Sequence, residues 1–290
     1  MSEPAQRWYH RLYVGIQYVL PQHLLSALMF RLTRVRWKPL KNLSIRLFVR
    51  QFGVDMAQAE RTDPKAYPSF NAFFTRALLP GARPICERPD ALACPADGSL
   101  SQFGTIDEGR IIQAKGLDYS VRDLLGGDAG WGERFAGGAF ATIYLAPRDY
   151  HRVHMPLRGT LQRMLLVRGR LFSVNRITTS LVPRLFARNE RVACLFEGEK
   201  GPFAMVLVGA IFVGSIETVW AGPVTPVRRA SQPRPHRVDQ PVRLARGEEM
   251  GRFNMGSTVI LLFPPATVAW EESLRAGSHL RVGQSLGRAL

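Results

Sequence analysis

Three short polar stretches carry residue types able to do chemistry. Pro95-Ala96-Asp97-Gly98 places an acid in a turn. Tyr150-His151-Arg152-Val153-His154-Met155-Pro156 holds two of the six histidines, and Phe253-Asn254-Met255-Gly256-Ser257-Thr258 sets a serine directly after a glycine. Taken singly, each has an ordinary structural explanation: an Asx-turn, surface or core-packed imidazoles, a packing hydroxyl at a strand edge. The histidine pair makes a weak zinc signal, because no Glu lies between the two and no third ligand is near. Taken together, Asp97, His154 and Ser257 run in the order acid, base, nucleophile. A serine hydroxyl attacks only when a base takes its proton, and the base needs an acid to hold its tautomer. A hydrolase is the first class this suggests, yet the Gly-x-Ser-x-Gly elbow is absent around Ser257. Gly256 lies immediately before the serine instead. Attack by Ser257 on the carbonyl of its own preceding residue would favour that neighbour, which has no Cβ to block the approach and tolerates a strained backbone.

The elements around these stretches are mostly strands. Val259, Ile260, Leu261, Leu262 and Phe263 follow the serine as a β-branched, apolar run, the pattern of a strand buried on both faces. From about residue 91 such runs recur between glycines, as at Ile111-Ile112, Ala141–Leu145 and Leu165–Val167. A hairpin is expected where residues 192–197 meet 203–208 across Gly198-Glu199-Lys200-Gly201, and a further strand over 210–218. Residues 222–246, with five prolines and six arginines, read as an exposed basic loop. Residues 51–90 read as a connection rich in turn signals. Within it Ser69 caps a short helix whose Phe70, Phe73 and Phe74 are core candidates.

The first fifty residues differ in kind. They hold nine Lys or Arg against the single acid Glu3, half of the chain's net charge of +16, together with seven Trp, Tyr or Phe. Trp8, Leu12, Ile16 and Val19 share one helical face, and Leu24, Leu28, Leu32 and Val35 share another beyond Pro21. The uncharged stretch 12–30 is about the length of a short membrane span, but Gln17, Pro21, Gln22 and His23 interrupt it and Pro21 breaks the helix. Two or three amphipathic helices lying in a membrane interface are expected, with packing of their apolar faces on the protein's own core as the alternative. A transit peptide fits poorly, with so little serine and so many aromatics, and no secretory signal pattern is present. Three cysteines at unrelated spacings argue against a disulfide framework and fit a reducing compartment. So basic a chain calls for an anionic partner: acidic lipid, phosphate-bearing substrate or nucleic acid.

Four motifs in order, Phe70-Asn71-Ala72-Phe73-Phe74-Thr75-Arg76, Pro95–Gly98, Tyr150–Pro156 and Phe253–Thr258, together with the basic amphipathic start, resemble the short bacterial, membrane-associated phosphatidylserine decarboxylases. The one departure is Met255, where the family often has leucine, a swap of similar volume. The resemblance implies an α+β chain: N-terminal amphipathic helices over residues 1–60, then a β-rich, sandwich- or barrel-like catalytic body over 61–290. It implies that Ser257 attacks the Gly256 carbonyl, with Asp97 as orienting acid and His154 as base. The ester formed by N-to-O shift would break by β-elimination into a large chain 1–256 and a small chain 257–290, the latter headed by a pyruvoyl group, the covalent cofactor. Phosphatidylserine would form a Schiff base with that group and lose CO2, leaving phosphatidylethanolamine, with His151 as the proton donor to the product. Thr258 is left between two roles, orienting the attack or orienting the pyruvoyl amide. No metal is implied.

The implied partners are the lipid substrate, an anionic membrane surface and the two chains of one precursor. A homodimer is expected by analogy, and the place is the cytoplasmic side of the cell membrane, peripherally. Two other classes stay open on the residues alone. A Ser-His-Asp lipid hydrolase would use the same residue types and keep its chain intact. A nucleic-acid binder would explain the charge, but no binding motif is recognisable and the N-terminal faces are too apolar for it.

Overall fold

Residues that are apolar on both faces of a strand need neighbours on both edges as well. In the computed structural model, which describes residues 8–212, 215–225, 234–236 and 241–290, the strand Ser257–Phe263 has them. It lies antiparallel between Ala139–Leu145 and Gly201–Val208, and Val259 to Phe263 are buried. It is an inner strand of a nine-stranded antiparallel sheet. The order runs Arg234–His236, Gly159–Val167, Arg191–Gly198, Gly201–Val208, Ser257–Phe263, Ala139–Leu145, Gly98–Thr105, His279–Leu280, with Arg243–Leu244 also on Gly159–Val167. Smaller sheets of four, three and two strands flank it, and no closed barrel forms among the described residues. The class is α+β, as expected.

The expected hairpin closes as a two-residue turn, Glu199-Lys200, with Gly198 opposite Gly201. Over 210–218 only Ile216–Thr218 is strand, with residues 213–214 outside the described residues. The supposed loop 222–246 is partly built into sheets: Gly222–Pro223 pairs with Ile216–Thr218, and Arg234–His236 and Arg243–Leu244 pair with Gly159–Val167. Within that stretch 226–233 and 237–240 lie outside the described residues.

Helices α1 (Trp8–Val19), α2 (Gln22–Leu32) and α3 (Lys38–Phe52) precede this body. Pro21 separates the first two and stands just before α2 rather than in its first turn. No described helix is long and apolar enough to cross a membrane. The orientation of α1 and α2 is largely the reverse of ordinary amphipathic packing, while α3 turns Ile45 inward. The buried side chains are Val14 and Gln17 on α1, Gln22 and Ser26 on α2, Lys41 and Ile45 on α3. Trp8, Leu12, Ile16, Val19, Leu24, Leu28 and Leu32 are all exposed, Val19 by 82%. The docked faces of α1 and α2 are held by polar groups. Gln17 Oε1 accepts from Ser173 N at 2.8 Å, Gln22 Oε1 from Leu171 N at 2.8 Å, and Ser26 Oγ from Phe212 N at 3.2 Å.

The short helix α4 (Phe70–Phe74) forms where expected, its Ser69 hydroxyl accepting from Ala72 N. Phe70, Phe73 and Phe74 are buried with Ile45, Val54 and Tyr67 in a second core, and Met255 packs against both this core and the main one. The two cores therefore meet beside the Gly256–Ser257 bond.

Because the amide of buried Leu171 depends on Gln22, Gln22→Leu should leave it unsatisfied, at a cost of about 1–3 kcal/mol to helix docking. Hydrogen exchange should quicken across residues 12–32 and stay unchanged in the strand Ser257–Phe263.

Candidate functional site

All four motifs converge, and each is tied to the next by named bonds. Asn71 of α4 donates from Nδ2 to Asn254 Oδ1 at 3.0 Å, and Asn254 is fixed in turn by Nδ2 to Ser215 Oγ at 2.6 Å. The Phe253 amide donates to His151 O at 3.0 Å, and the Phe74 ring lies 4.1 Å from the His151 ring, centre to centre. The His154 amide donates to Pro95 O at 2.8 Å. Gly98 is required where its strand crosses Tyr144: a Cβ there would come within 2.3 Å of the Tyr144 carbonyl oxygen.

His151 is the imidazole that faces the Gly256–Ser257 bond. A Cβ added to Gly256 would lie 3.4 Å from His151 Nε2 and 3.4 Å from Leu145 O, so a side chain at 256 would crowd the ring. Gly256 does not have positive φ; the glycine provides space there, without the backbone strain expected from sequence. His151 Nδ1 lies 2.8 Å from Asp149 O. A carbonyl can only accept, so Nδ1 carries the proton and Nε2 keeps its lone pair. That Nε2 is buried without a hydrogen-bond partner among the described residues. Burial, foremost, holds the His151 pKa down to about 3, only partly offset by the bond to Asp149 and assisted by the charge of Arg76. The ring is a neutral base pointed at the glycine. Thr258, next along the strand after the serine, is fully buried and its Oγ1 likewise has no partner among the described residues.

His154 sits differently. Its Nδ1 donates to Gly247 O at 2.8 Å, and its Nε2 is 3.2 Å from the Tyr150 hydroxyl, which must then be the donor. Burial lowers its pKa, against the raising effect of Gly247. Burial also pushes the Tyr150 phenol up to about 12, so it keeps its proton.

Asp97 is not bonded to His154. Its carboxylate accepts from Arg83 Nε at 2.8 and 3.0 Å, from Arg83 Nη2, and from the Val282 amide at 2.9 Å. The bonds leave its own turn, so the Asx-turn reading does not hold. The structure thus brings His151 to Gly256 and joins His154 to Tyr150, while Asp97 acts on His154 by charge and its stretch is hydrogen-bonded to the His154 segment through Pro95 O. Arg83 and Tyr150 are the polar partners that sequence reasoning missed. Tyr150 lay inside a quoted motif, and its place directly before His151 was the available signal.

One further feature borders the site. Met255 forms part of the wall of an apolar cavity of about 700 Å³ between α2, α3 and α4.

Comparison with known proteins agrees with this convergence. A family described as phosphatidylserine decarboxylase matches residues 70–288, and a second, described as PSD, matches 12–53. The chain is 56% identical to a phosphatidylserine decarboxylase proenzyme of Ectopseudomonas mendocina over 281 residues, covering 96% of this chain and 98% of that one. It is 56% identical to the proenzymes of the same name from Bordetella pertussis over 280 residues, covering 95% and 94%, and from Pseudomonas putida over 282 residues, covering 95% and 97%. On that coverage and identity, the chain belongs to the phosphatidylserine decarboxylase family.

Proposed function

We propose that this protein is a carboxy-lyase that converts phosphatidylserine to phosphatidylethanolamine and CO2 at a membrane surface, using a pyruvoyl group made from its own Ser257. The observation that carries the reading is the buried, unprotonated His151 Nε2 beside Gly256, in a chain of this family. The surroundings fit the group: a base with no partner among the described residues, a residue at 256 with no side chain, and a strand that leads directly away from the bond.

Formation of the group is a reaction of the chain itself. The Ser257 hydroxyl adds to the Gly256 carbonyl as a base takes its proton, and the peptide nitrogen leaves to give an ester. Loss of the Ser257 α-proton expels the Gly256 carboxylate. The dehydroalanine left at residue 257 takes up water and releases ammonia, giving the ketone. Asp97 and His154 are assigned to this phase, with Tyr150 holding the His154 ring in its tautomer. The finished group, once condensed with the substrate amine, supplies an electron sink for the pair that CO2 leaves behind. His151 is assigned as the proton donor to the carbon that CO2 has left.

The helices supply the second part of the reading. Their exposed apolar residues lie beside Arg31, Arg36, Lys38, Arg46 and Arg50, all exposed. Each such charge near an anionic leaflet is worth about 1 kcal/mol, and together with apolar insertion they give reversible, peripheral binding. We place the protein on the cytoplasmic face of the cell membrane, with residues 1–60 as the membrane-associating part, 61–290 as the catalytic part, and a homodimer as its assembly.

Intact mass under denaturing conditions tests the cleavage. The active protein should separate into 1–256 and 257–290, the small chain lighter by one ammonia than hydrolysis alone predicts, and Ser257→Ala should remain one chain. A full-length chain in an active preparation would favour a serine hydrolase. His151→Gln should still cleave but fall at least a hundredfold in decarboxylation, whereas His154→Gln should fail to cleave. Loss of cleavage in both variants would assign His151 to both steps.

Acid stability tests the state of His151. Above the unfolded value of about 6.5 the ring is neutral in both states and contributes no pH dependence. Between there and about 3 the unfolded chain takes up a proton that the folded chain refuses. Stability should therefore fall as pH drops below about 6.5, with a contribution from His151 on the order of 1 kcal/mol per pH unit. Denaturant midpoints should show a shallower acid-side slope in His151→Gln.

A further inference from the structure

We propose that a small polar cavity lined by Arg76, Arg148 and Arg281 binds one phosphate group, and that the bound anion clasps the part of the chain before residue 257 to the part after it. The cavity measures about 130 Å³, well under the 300–1,000 Å³ typical of drug-sized ligands, so it admits a small oxyanion and excludes a fatty chain. Asp97 and Tyr150 form the part of its wall that backs onto the site described above. Arg148 and Arg281 are exposed, so solvent reaches it.

Arg76 is the group left without a counter-charge. It is 4% exposed, yet of its five guanidinium donors only Nη2 is paired among the described residues, to Arg148 O at 3.2 Å. Its Nε is buried with no partner there. Burial is the largest influence on its pKa and lowers it. A guanidinium taken out of water without an opposite charge beside it is unfavourable, and an entering anion supplies that charge. Arg83 shows the contrast: it lines the same cavity, and the Asp97 carboxylate meets it directly.

The other acids on the wall are engaged locally. Asp55 Oδ1 accepts from the Ala57 amide at 2.9 Å, and Asp149 Oδ2 from the Ala146 amide at 2.7 Å. With Arg83 set against Asp97, Arg76, Arg148 and Arg281 face Asp55 and Asp149, an excess of one positive charge. The described residues form no group of three acids, histidines or cysteines that would hold a metal ion instead. Planar guanidinium forks suit the oxygens of a phosphate, whether free in solution or carried by a lipid head group. Arg76 and Arg148 precede residue 257 and Arg281 follows it, so an anion between them bridges the two parts. It does by charge what the Val282 amide does beside it by its bond to Asp97. The bridge does not depend on whether the Gly256–Ser257 bond is cut.

Calorimetric titration of the full chain with inorganic phosphate, at an ionic strength fixed with chloride, should show saturable binding. Hydrogen exchange should slow at residues 146–150 and 279–282 when phosphate is bound. Arg281→Ala, at an exposed position, should weaken binding about fivefold or more, and Arg76→Gln should abolish it. If Arg76→Gln fails to fold, Arg281→Ala decides alone. Dihexanoyl phosphatidylglycerol, kept below its micelle concentration, separates the two sources: displacement of phosphate by the lipid assigns the site to head groups, and failure to displace assigns it to the free anion. Absence of saturable phosphate binding in the parent would overturn the proposal. So would full affinity in either variant, or protection confined to other segments.

Discussion

The constraint on which the rest of the structure depends is the double pairing of the strand Ser257–Phe263. Thr258 to Leu262 have antiparallel partners on both sides, from Tyr144 back to Phe140 and from Val208 back to Ala204. With both edges paired and the side chains of residues 258–263 buried, this strand is held firmly in place. At about 1.5–3 kcal/mol per buried large side chain, Val259 to Phe263 alone account for on the order of 10 kcal/mol of gross burial. A break in the chain just before such a strand does not release it. The same fixity holds Gly256 against His151 within the narrow tolerance that an intramolecular attack needs.

The segment beyond the strand is bound as firmly. Residues 279–280 pair with Gly98 and Ser99, 285–289 pair with Ala91–Ala93, and the Val282 amide donates to the Asp97 carboxylate. Asp97 therefore ties the part before residue 257 to the part after it, whatever else it does. Its buried pairing with Arg83 explains how a carboxylate can sit there: removing either partner would leave the other charge stranded. A change at Asp97 accordingly disturbs the association of the two segments, whatever it does to the chemistry. Tyr150 is a cleaner probe of the His154 ring, because its hydroxyl reaches that ring directly.

Much of this was legible in the residues. The central strand, the capped helix at Ser69, the hairpin at 198–201 and the four motifs all follow from local pattern, and local pattern is what a sequence states openly. The missed parts depend on distant partners. Asn71 and Asn254 are 183 residues apart, Arg83 and Asp97 belong to different segments, and no periodicity announces either pair. Residues 222–246 misled for a related reason. Proline and arginine mark a loop in isolation, yet Arg234–His236 and Arg243–Leu244 find an edge on Gly159–Val167, where a proline is tolerated.

The N-terminal helices show how a correct pattern can have the wrong ordinary consequence. Their apolar faces were found by period, and the usual inference is that such a face turns to the core. On α1 and α2 the core side is taken, besides Val14, by Gln17, Gln22 and Ser26, each matched to a backbone amide that would otherwise be unsatisfied. Polar docking of this kind is specific and leaves the apolar face unspent. The contacts that attach the helices to the body therefore also determine which apolar side stays exposed. The Asn71 amide, donating to Thr33 O at 2.8 Å, then links the end of α2 to α4, and through Asn254 to Gly256. The exposed apolar faces of the helices and the Gly256–Ser257 bond are thereby joined along one path, from Thr33 through Asn71 to Asn254.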